Sequence, residues 1–397
     1  MKAARPPLAS RRGAGAWLAL WLLACAALPL RAAGDSGVMP LERVRNGDIG
    51  GLLMVEASVG RERGHWLLDT GSSEHLIAAD LADRLGLQGG AGVTLRTPVG
   101  AQRGSRVTLP DLRLGDATQT AVPAVRVELQ PLVGALGVTI DGVLGAPLLA
   151  GRMLRLDLAQ QTLALSPAPP RPACREPAQR VELDSHRGMP LIRLDSVLGS
   201  GQAHLLDTGN PGALVRLATA DAAGDAGLPI DVPGASAPLR LSRLSEVRLG
   251  PLRREQVPVA RLPGTTLREA LPASIVGSAG VALFDGAVLA IDLDAGLLCI
   301  DALPATAALP GGYGMLLAQG PLTPRVAGVL PGSPAARAGL QAGDEIVMLE
   351  GRPAPHTLPM LWRAIAQRGS LDMEVRRGAA PQRVRLERAY FLPLAKR

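Results

Sequence analysis

The sequence contains one five-residue segment twice, and the residues around the two copies repeat as well. Leu-Leu-Asp-Thr-Gly occurs at residues 67–71 and again at residues 205–209, so Asp69 and Asp207 occupy the same position in each copy. An alternating apolar and polar segment, typical of a half-buried strand, precedes each copy. An apolar-apolar-Gly segment and a strand-like segment containing Asp157 or Asp292 follow it. The repeat predicts a duplicated β-rich domain of about 130 residues per copy.

Each copy places a carboxylate where an apolar strand ends in a tight glycine turn, which is the mouth of a sheet. Two such carboxylates that face each other share one proton and hold a water between them. That arrangement is suited to acid-base hydrolysis of peptides without a covalent intermediate. We therefore predict that Asp69 and Asp207 form a catalytic dyad within a monomer.

The pattern resembles the aspartyl proteases, more the retropepsin-like branch than the longer pepsin branch, over residues from about 45 to 302. The resemblance implies three supporting pairs of residues around the dyad. The threonines would link the two loops through hydroxyl–backbone hydrogen bonds, the glycines would allow the tight turn, and the third pair would donate to the outer carboxylate oxygens. These pairs are Thr70 and Thr208, Gly71 and Gly209, and Ser72 and Asn210.

The resemblance also implies that an apolar-apolar-Gly strand crosses under each loop, and it assigns Val143, Leu144 and Gly145 in the first half and Ile275, Val276 and Gly277 in the second. The second half departs from the first. It has Ala273-Ser274 where the first has Asp141-Gly142, and extra residues between Gly277 and Asp292. A flap over Val93–Val107, turning near Pro98–Gly100, lacks the tyrosine of the pepsins.

Residues 311–397 resemble a bacterial PDZ domain. Ser333 is placed to cap a short helix, and a second helix is predicted from Thr357 to Gln367. The segment Tyr313-Gly314-Met315 matches the loop whose backbone N–H groups receive a peptide's terminal carboxylate in that family. The resemblance implies that the peptide adds as a strand against Leu316–Ala318.

Residues 1–34 read as a secretory signal peptide, with an apolar run from Ala16 to Leu30 before the small residues Ala32-Ala33-Gly34. Leu22-Leu23-Ala24-Cys25 also resembles a lipoprotein box, which would place the protein at a membrane through Cys25. This stretch holds five basic and no acidic residues, so removing it reduces the net charge from +7 to +2. We therefore expect an exported, periplasmic or secreted protein that does not bind nucleic acid.

Cys174 lies in the proline-rich tether 166–180 and Cys299 in a late strand. A disulfide between them and two free thiols are both compatible with the sequence. We find no metal-ligand spacing and expect no cofactor. His65, His75 and His204 flank the Asp-Thr-Gly loops and are interpreted as structural.

The resulting prediction is a mainly β protein with two retropepsin/pepsin-like β-barrel lobes, at residues 35–165 and 181–302, followed by a linker at 303–310 and the PDZ domain. The expected function is that of an aspartic endopeptidase, with peptide or unfolded protein substrates and C-terminal tails bound at the PDZ domain. Two alternatives stay open: a catalytically silent peptide-binding protein with a protease-like core, and a protease that processes only its own tether or linker.

Overall fold

The computed structural model describes residues 37–395 except 46, 49, 98–99, 170–173, 218–226, 231–237, 263–265 and 367. The signal sequence with Cys25 and the flap residues Pro98 and Val99 lie outside the described residues. No helix within the described part of the chain is long and apolar enough to cross a membrane.

Lobe 1 is built almost entirely from strands. In chain order these are β1 (Val38–Pro40), β2 (Glu42–Val44), β3 (Leu52–Val59), β4 (Glu62–Asp69), β5 (His75–Ala78), β6 (Gly92–Thr97), β7 (Gly100–Leu114), β8 (Ala117–Val127), β9 (Gly142–Gly145), β10 (Arg152–Asp157) and β11 (Thr162–Pro167). Two short helices, α1 (Ala79–Arg84) and α2 (Gln130–Leu136), and a 3-10 helix at Ala146–Leu149 complete it.

Lobe 2 repeats this construction. It contains β12 (Arg180–Glu182), β13 (Asp184–His186), β14 (Met189–Ser196), β15 (Gly199–Leu206), β16 (Leu214–Leu217), β17 (Leu228–Ile230), β18 (Leu239–Leu249), β19 (Leu252–Leu262), β20 (Ile275–Ala279), β21 (Val288–Asp292) and β22 (Leu297–Ala302). Its helices are α3 (Thr266–Ala270) and the 3-10 helices Pro177–Gln179 and Val281–Phe284.

The strand order of the two lobes is the same, as expected of a duplication. Lobe 1 forms an eight-stranded sheet in the order β2-β3-β4-β9-β5-β8-β7-β6, and lobe 2 forms one in the order β13-β14-β15-β20-β16-β19-β18-β17. Additional β3–β7 and β14–β18 pairings curl each sheet towards a barrel. Buried side chains inside both are mostly Leu, Val and Ile, and this confirms the predicted mainly β fold with aliphatic cores.

A third sheet joins the lobes in the order β1-β11-β10-β21-β22-β12. At its centre β10 pairs antiparallel with β21, and Arg155 lies opposite Ala290. These are the residues two positions before Asp157 and Asp292, so equivalent positions of the two halves meet directly at this pair. A disulfide joins Cys174 to Cys299 of this sheet, so of the two alternatives left open by the sequence the structure has the disulfide and not two free thiols.

The PDZ domain consists of β23 (Met315–Ala318), β24 (Arg325–Val329), β25 (Glu345–Leu349), β26 (Arg352–Pro353), β27 (Ser370–Arg377) and β28 (Ala380–Glu387), with α4 (Pro334–Arg337) and α5 (Leu358–Ile365). The sheet runs β23-β24-β25-β27-β28, and β26 pairs with β25. Ser333 accepts a hydrogen bond from the amide of Ala336, which confirms the predicted helix cap. The buried face of α5 carries Leu358, Leu361 and Ile365.

Candidate active site

The two Asp-Thr-Gly loops meet between the lobes. Strand β4 ends at Asp69, and it runs parallel to β9 until Asp69 lies opposite Gly145. Strand β15 runs parallel to β20 in the same way, and the amide of Asp207 donates to the carbonyl of Ala279. Each aspartate therefore follows a buried strand and is held by a second strand beside it.

Four hydrogen bonds between Thr70 and Thr208 and their surroundings link the loops. The Thr70 amide donates to the Thr208 hydroxyl at 3.0 Å, and the Thr208 amide donates to the Thr70 hydroxyl at 3.1 Å. Each hydroxyl then donates across the lobes, from Thr70 to the carbonyl of Leu206 and from Thr208 to that of Leu68. Both threonines are buried, so these hydrogen bonds fix one loop against the other. This is the arrangement that the family resemblance implies.

The glycines bring each loop against the opposite carboxylate. A Cβ atom added to Gly71 would lie 2.5 Å from the Cγ atom of Asp207, and one added to Gly209 would lie 2.4 Å from the Cγ atom of Asp69. Real Cβ atoms essentially never approach other atoms that closely. Both positions therefore require glycine for steric reasons.

The two carboxylates do not have the same hydrogen-bond donors. Asp69 accepts hydrogen bonds from the amides of Gly71 and Ser72. Asp207 accepts from the amides of Gly209 and Asn210, and the side chain of Ser278 also hydrogen-bonds its carboxylate. The environment of Asp207 is therefore the better suited to a negative charge.

Ser72 and Asn210 donate to the carboxylates of Asp69 and Asp207 through their backbone amides, whereas their side chains make other contacts. The Ser72 hydroxyl donates to the carbonyl of Glu74 at 2.8 Å. The Asn210 amide group donates to the Ser278 hydroxyl at 3.2 Å, and its carbonyl oxygen accepts from Gly212. Both side chains shape their own loops. Ser278, which sequence reasoning missed, is the side chain that reaches a catalytic carboxylate.

The crossing strand of the second half was assigned three residues too early. Ile275, Val276 and Gly277 are the first three residues of β20. The residue that occupies the position of Gly145 in the second half is Gly280, directly after this strand. Added Cβ atoms at Gly145 and Gly280 would both clash with the carbonyls of the adjacent Asp-Thr-Gly loop. A 3-10 helix follows each of these two glycines.

The corrected register removes the extra residues of the second half, and only Asp141 still has no acidic counterpart, because Val276 takes its place. Gly277 now matches Gly142, and Ser278 matches Val143. The segment from Gly280 to Asp292 has the same length as that from Gly145 to Asp157. The segment Ile275-Val276-Gly277 resembled the motif more closely than the true match, Ser278-Ala279-Gly280, because Ser278 is polar.

Burial raises the pKa of the Asp69 and Asp207 carboxyls above the value of a free aspartate. The negative charge of Asp207 raises the pKa of Asp69 further, since two like charges held this close are not ionised together at low cost. The hydroxyl of Ser278 acts in the opposite direction and lowers the pKa of Asp207. The pair therefore titrates as a unit that holds one proton over a wide pH range.

Two of the three flanking histidines are buried. His75 and His204 are 1% and 3% exposed, and burial lowers the pKa of each to about 4. The Nδ1 atom of His75 accepts a hydrogen bond from the amide of Gly145, whereas that of His204 lies 2.8 Å from the carbonyl oxygen of Gln202. Neither contact involves a catalytic carboxylate, so we treat both as structural, as the sequence indicated. His65 is exposed.

The flap is the hairpin of β6 and β7, whose register pairs Thr97 with Gly100. Arg96 on the flap forms an ion pair at 3.0 Å with Glu269 of α3 in lobe 2. The hairpin therefore reaches α3 of the second lobe. Both partners are substantially exposed, so this contact contributes little to stability.

The segment for which the sequence predicts a carboxylate-binding loop, Tyr313-Gly314-Met315, lies at the start of β23. The backbone N–H groups of Tyr313 and Gly314 point to one position, and the side chain of Asp48 fills it. β23 is the last strand of its sheet, so among the described strands its outer edge has no neighbour. Tyr313 is fully buried beneath the loop, and its hydroxyl donates to the carbonyl of Arg368.

Comparison with known families agrees with this geometry. The sequence model of the family described as aspartyl protease matches residues 55–148, and that of the PDZ domain matches residues 325–377. The chain combines an aspartyl protease domain with a PDZ domain. The matched protease segment lies within lobe 1 and contains Asp69 and the crossing strand up to Gly145. No curated protein matched the sequence.

In this protease-like chain, no group of three or more His, Cys, Asp or Glu within the described ranges is placed to hold a metal ion. Sequence reasoning missed Ser278 and Asp48. Ser278 follows from matching Gly145 with Gly280. Asp48 has no local sequence signal, because its partners lie more than 260 residues away along the chain.

Proposed function

We propose that this chain is an exported aspartic endopeptidase whose PDZ domain binds peptide or protein C-termini. One observation carries the proposal: Asp69 and Asp207 face each other across loops that Thr70 and Thr208 link symmetrically. Asp69 and Asp207 are half-buried as residues, while the threonines beneath them are fully buried. The proposed site therefore has a rigid base and an accessible reactive face.

In the proposed mechanism Asp207 is the ionised member of the dyad and Asp69 carries the proton. Ser278 and two backbone N–H groups stabilise the charge on Asp207, whereas the pKa of Asp69 is raised by burial and by that same charge. Asp207 takes a proton from an attacking water, and Asp69 polarises the scissile carbonyl by donating to it. The proton on Asp207 then passes to the leaving amine as the C–N bond breaks, and Asp69 takes back a proton from the gem-diol as the carboxylic acid forms. The reaction therefore needs no covalent intermediate.

The flap supports the choice of an extended peptide as substrate. Hairpins over a cleft hold a substrate strand by main-chain hydrogen bonds and exclude water from the reacting atoms. Arg96 and Glu269 connect the flap to lobe 2. Because this ion pair is exposed, it opens at low cost to admit a substrate.

The disulfide supports export. Cys174 and Cys299 are joined across the sheet that unites the lobes. Disulfides persist in the periplasm and outside the cell and are rare in the reducing cytosol. This agrees with a signal sequence at residues 1–34. The proposed location is therefore the periplasm or the medium.

Cleavage of a complex peptide library by the mature chain, from Gly34 onward, tests the proposal between pH 3 and pH 8. Asp69→Asn and Asp207→Asn are run in parallel. We expect cleavage at acidic to mildly acidic pH that is lost in both variants, by about 10³-fold or more. Equal cleavage by the parent and both variants would exclude the dyad. Inert parent and variants would instead favour the catalytically silent peptide-binding protein, and mass spectrometry of the purified chain would reveal cuts confined to its own tether or linker.

A further inference from the structure

Asp48, Gly50 and Gly51 belong to a short connector, and their contacts reach both the PDZ domain and lobe 2. On one side the Oδ2 atom of Asp48 accepts hydrogen bonds from the amides of Tyr313 at 3.0 Å and Gly314 at 3.1 Å. On the other side the amide of Gly51 donates to the carbonyl of Pro211 at 3.1 Å. Pro211 directly follows Asn210 in the second catalytic loop.

The position of Asp48 is that of a bound C-terminal carboxylate. Its Oδ2 atom takes two backbone N–H groups of the loop, as a terminal carboxylate does in peptide recognition by backbone amides. Arg388 also contacts Asp48, because its guanidinium donates a hydrogen bond to the backbone carbonyl of Asp48 at 3.1 Å. The guanidinium also lies over the ring of Tyr313, 4.7 Å from its centroid.

We propose that Asp48 is an internal ligand of the PDZ carboxylate-binding loop, and that a peptide's C-terminal carboxylate competes with it for the amides of Tyr313 and Gly314. The inference rests on the peptide binding proposed above for this domain. It adds that Asp48 occupies the loop of this domain when no peptide is bound. It also adds that displacement of Asp48 would affect the loop that carries Asp207.

The bound aspartate is incompletely satisfied, which makes exchange feasible. Its Oδ1 atom is buried and has no hydrogen-bond partner within the described residues. Burial also raises the pKa of this carboxyl despite the two amides that stabilise its charge. A buried polar atom without a partner destabilises the contact, whereas a competing peptide carboxylate is free to orient both of its oxygens.

A peptide would gain contacts that Asp48 does not make. The outer edge of β23, at Met315–Ala318, is positioned to pair with an added strand. Across from it α5 begins at Leu358, whose amide donates to the side chain of Gln319 at the end of β23. A C-terminal peptide would thus combine the two loop amides with main-chain pairing along β23, whereas Asp48 supplies a single side chain.

Release of Asp48 would reach the catalytic loop through the glycines that follow it. Gly50 lies so close to Pro211 that an added Cβ atom would be 1.8 Å from the Pro211 carbonyl oxygen. The Asn210 carbonyl next to it accepts from the amide of Val281, just after Gly280 in the crossing strand. Movement of the connector therefore changes the packing behind Asn210 and Asp207.

Peptide binding to a cleavage-dead chain separates this inference from the protease proposal. The protein is the mature chain with Asp69→Asn and Asp207→Asn, with and without Asp48→Ala. The probes are fluorescein-labelled decapeptides that differ in their last residue, each with a free and with an amidated C-terminus. We expect Asp48→Ala to bind free-acid peptides at least tenfold more tightly and to leave the amidated peptides weakly bound. Asp116→Ala, an exposed acid on a hairpin turn, is the matched control and should change nothing.

Amide hydrogen exchange provides a second readout that does not require a known peptide. In Asp48→Ala the amides of Tyr313 and Gly314 should exchange faster, and a bound free-acid peptide should speed exchange of the Gly51 amide in the parent. Equal peptide affinity with and without Asp48 would overturn the competition. Failure of every peptide to bind either protein would also overturn it, together with the PDZ part of the proposed function, while leaving the dyad untouched.

Discussion

In lobe 1 the carboxylate of Asp69 accepts hydrogen bonds from backbone amides, whereas in lobe 2 that of Asp207 also contacts the hydroxyl of Ser278. The two lobes otherwise share one strand order, one loop sequence and one pattern of threonine contacts. Ser278 replaces Val143, which occupies the same position beside the first loop. This one difference between the lobes lowers the pKa of Asp207 and so favours its ionised form.

The largest expected effect tests a feature that both lobes share, which is the close approach of each loop glycine to the opposite carboxylate. Gly71→Ala and Gly209→Ala should each reduce kcat/KM by about 100-fold or more, because the new methyl group displaces the opposite carboxylate. Gly134→Ala is the control, since an added Cβ atom meets nothing there. A large loss in one variant and none in the other would show that the two loops do not approach each other symmetrically.

The next effect tests the shared linkage of the loops. Thr70→Val and Thr208→Val should each lower the free energy of unfolding by about 2–4 kcal/mol, because each leaves buried backbone groups unsatisfied. Urea denaturation measures the change, with the exposed Thr120→Val as control. The two losses should agree, since the hydrogen bonds are reciprocal. Strongly unequal losses would contradict the symmetry of the linkage.

The internal repeat predicted the duplicated lobes and the facing aspartates, and the resemblance to the aspartyl proteases implied the threonine linkage. It misplaced the second crossing strand because Ile275-Val276-Gly277 looks apolar, whereas the segment that lies under the loop contains Ser278. It did not predict the contact of Asp48 with Tyr313 and Gly314, because that contact depends on how the PDZ domain packs against the connector. Tertiary contacts of this kind leave no periodicity in the sequence.

A smaller effect tests the feature that distinguishes the lobes, which is Ser278 in lobe 2 at the position of Val143 in lobe 1. Ser278→Ala removes a hydrogen bond that lowers the pKa of Asp207, so this pKa should rise. Because the mechanism requires ionised Asp207, the acidic limb of the kcat/KM profile should move to higher pH, and activity at pH 4 should fall about tenfold. Val143→Ala, the matched change in lobe 1, should lower stability without moving that limb. An unmoved limb in Ser278→Ala would refute the assignment of Asp207 as the base.

The smallest effect concerns the two buried histidines, one in each lobe. Burial lowers the pKa of His75 and of His204 from 6.5 to about 4. The folded state therefore binds fewer protons than the unfolded state between these values, so each contributes stability above pH 6.5 that is lost as the pH falls towards 4. His75→Gln and His204→Gln should each weaken this acid sensitivity by about 1–3 kcal/mol at pH 4, with exposed His65→Gln as control.

The hydrogen bonds of these histidines predict that acid breaks a hydrogen bond in lobe 1 and leaves the corresponding contact in lobe 2 intact. Nδ1 of His75 accepts from the amide of Gly145, so protonation at that nitrogen breaks the bond beneath the first catalytic loop. Nδ1 of His204 faces a carbonyl oxygen and therefore already carries a proton. Protonation of this histidine takes place at Nε2 and leaves the contact intact. Exchange of the Gly145 amide, corrected for intrinsic rates, should therefore accelerate between pH 7 and pH 4 in the parent. It should do so in His204→Gln as well but not in His75→Gln, whose side-chain oxygen still accepts the bond. Equal acceleration in both variants would mean that the two lobes respond to acid alike.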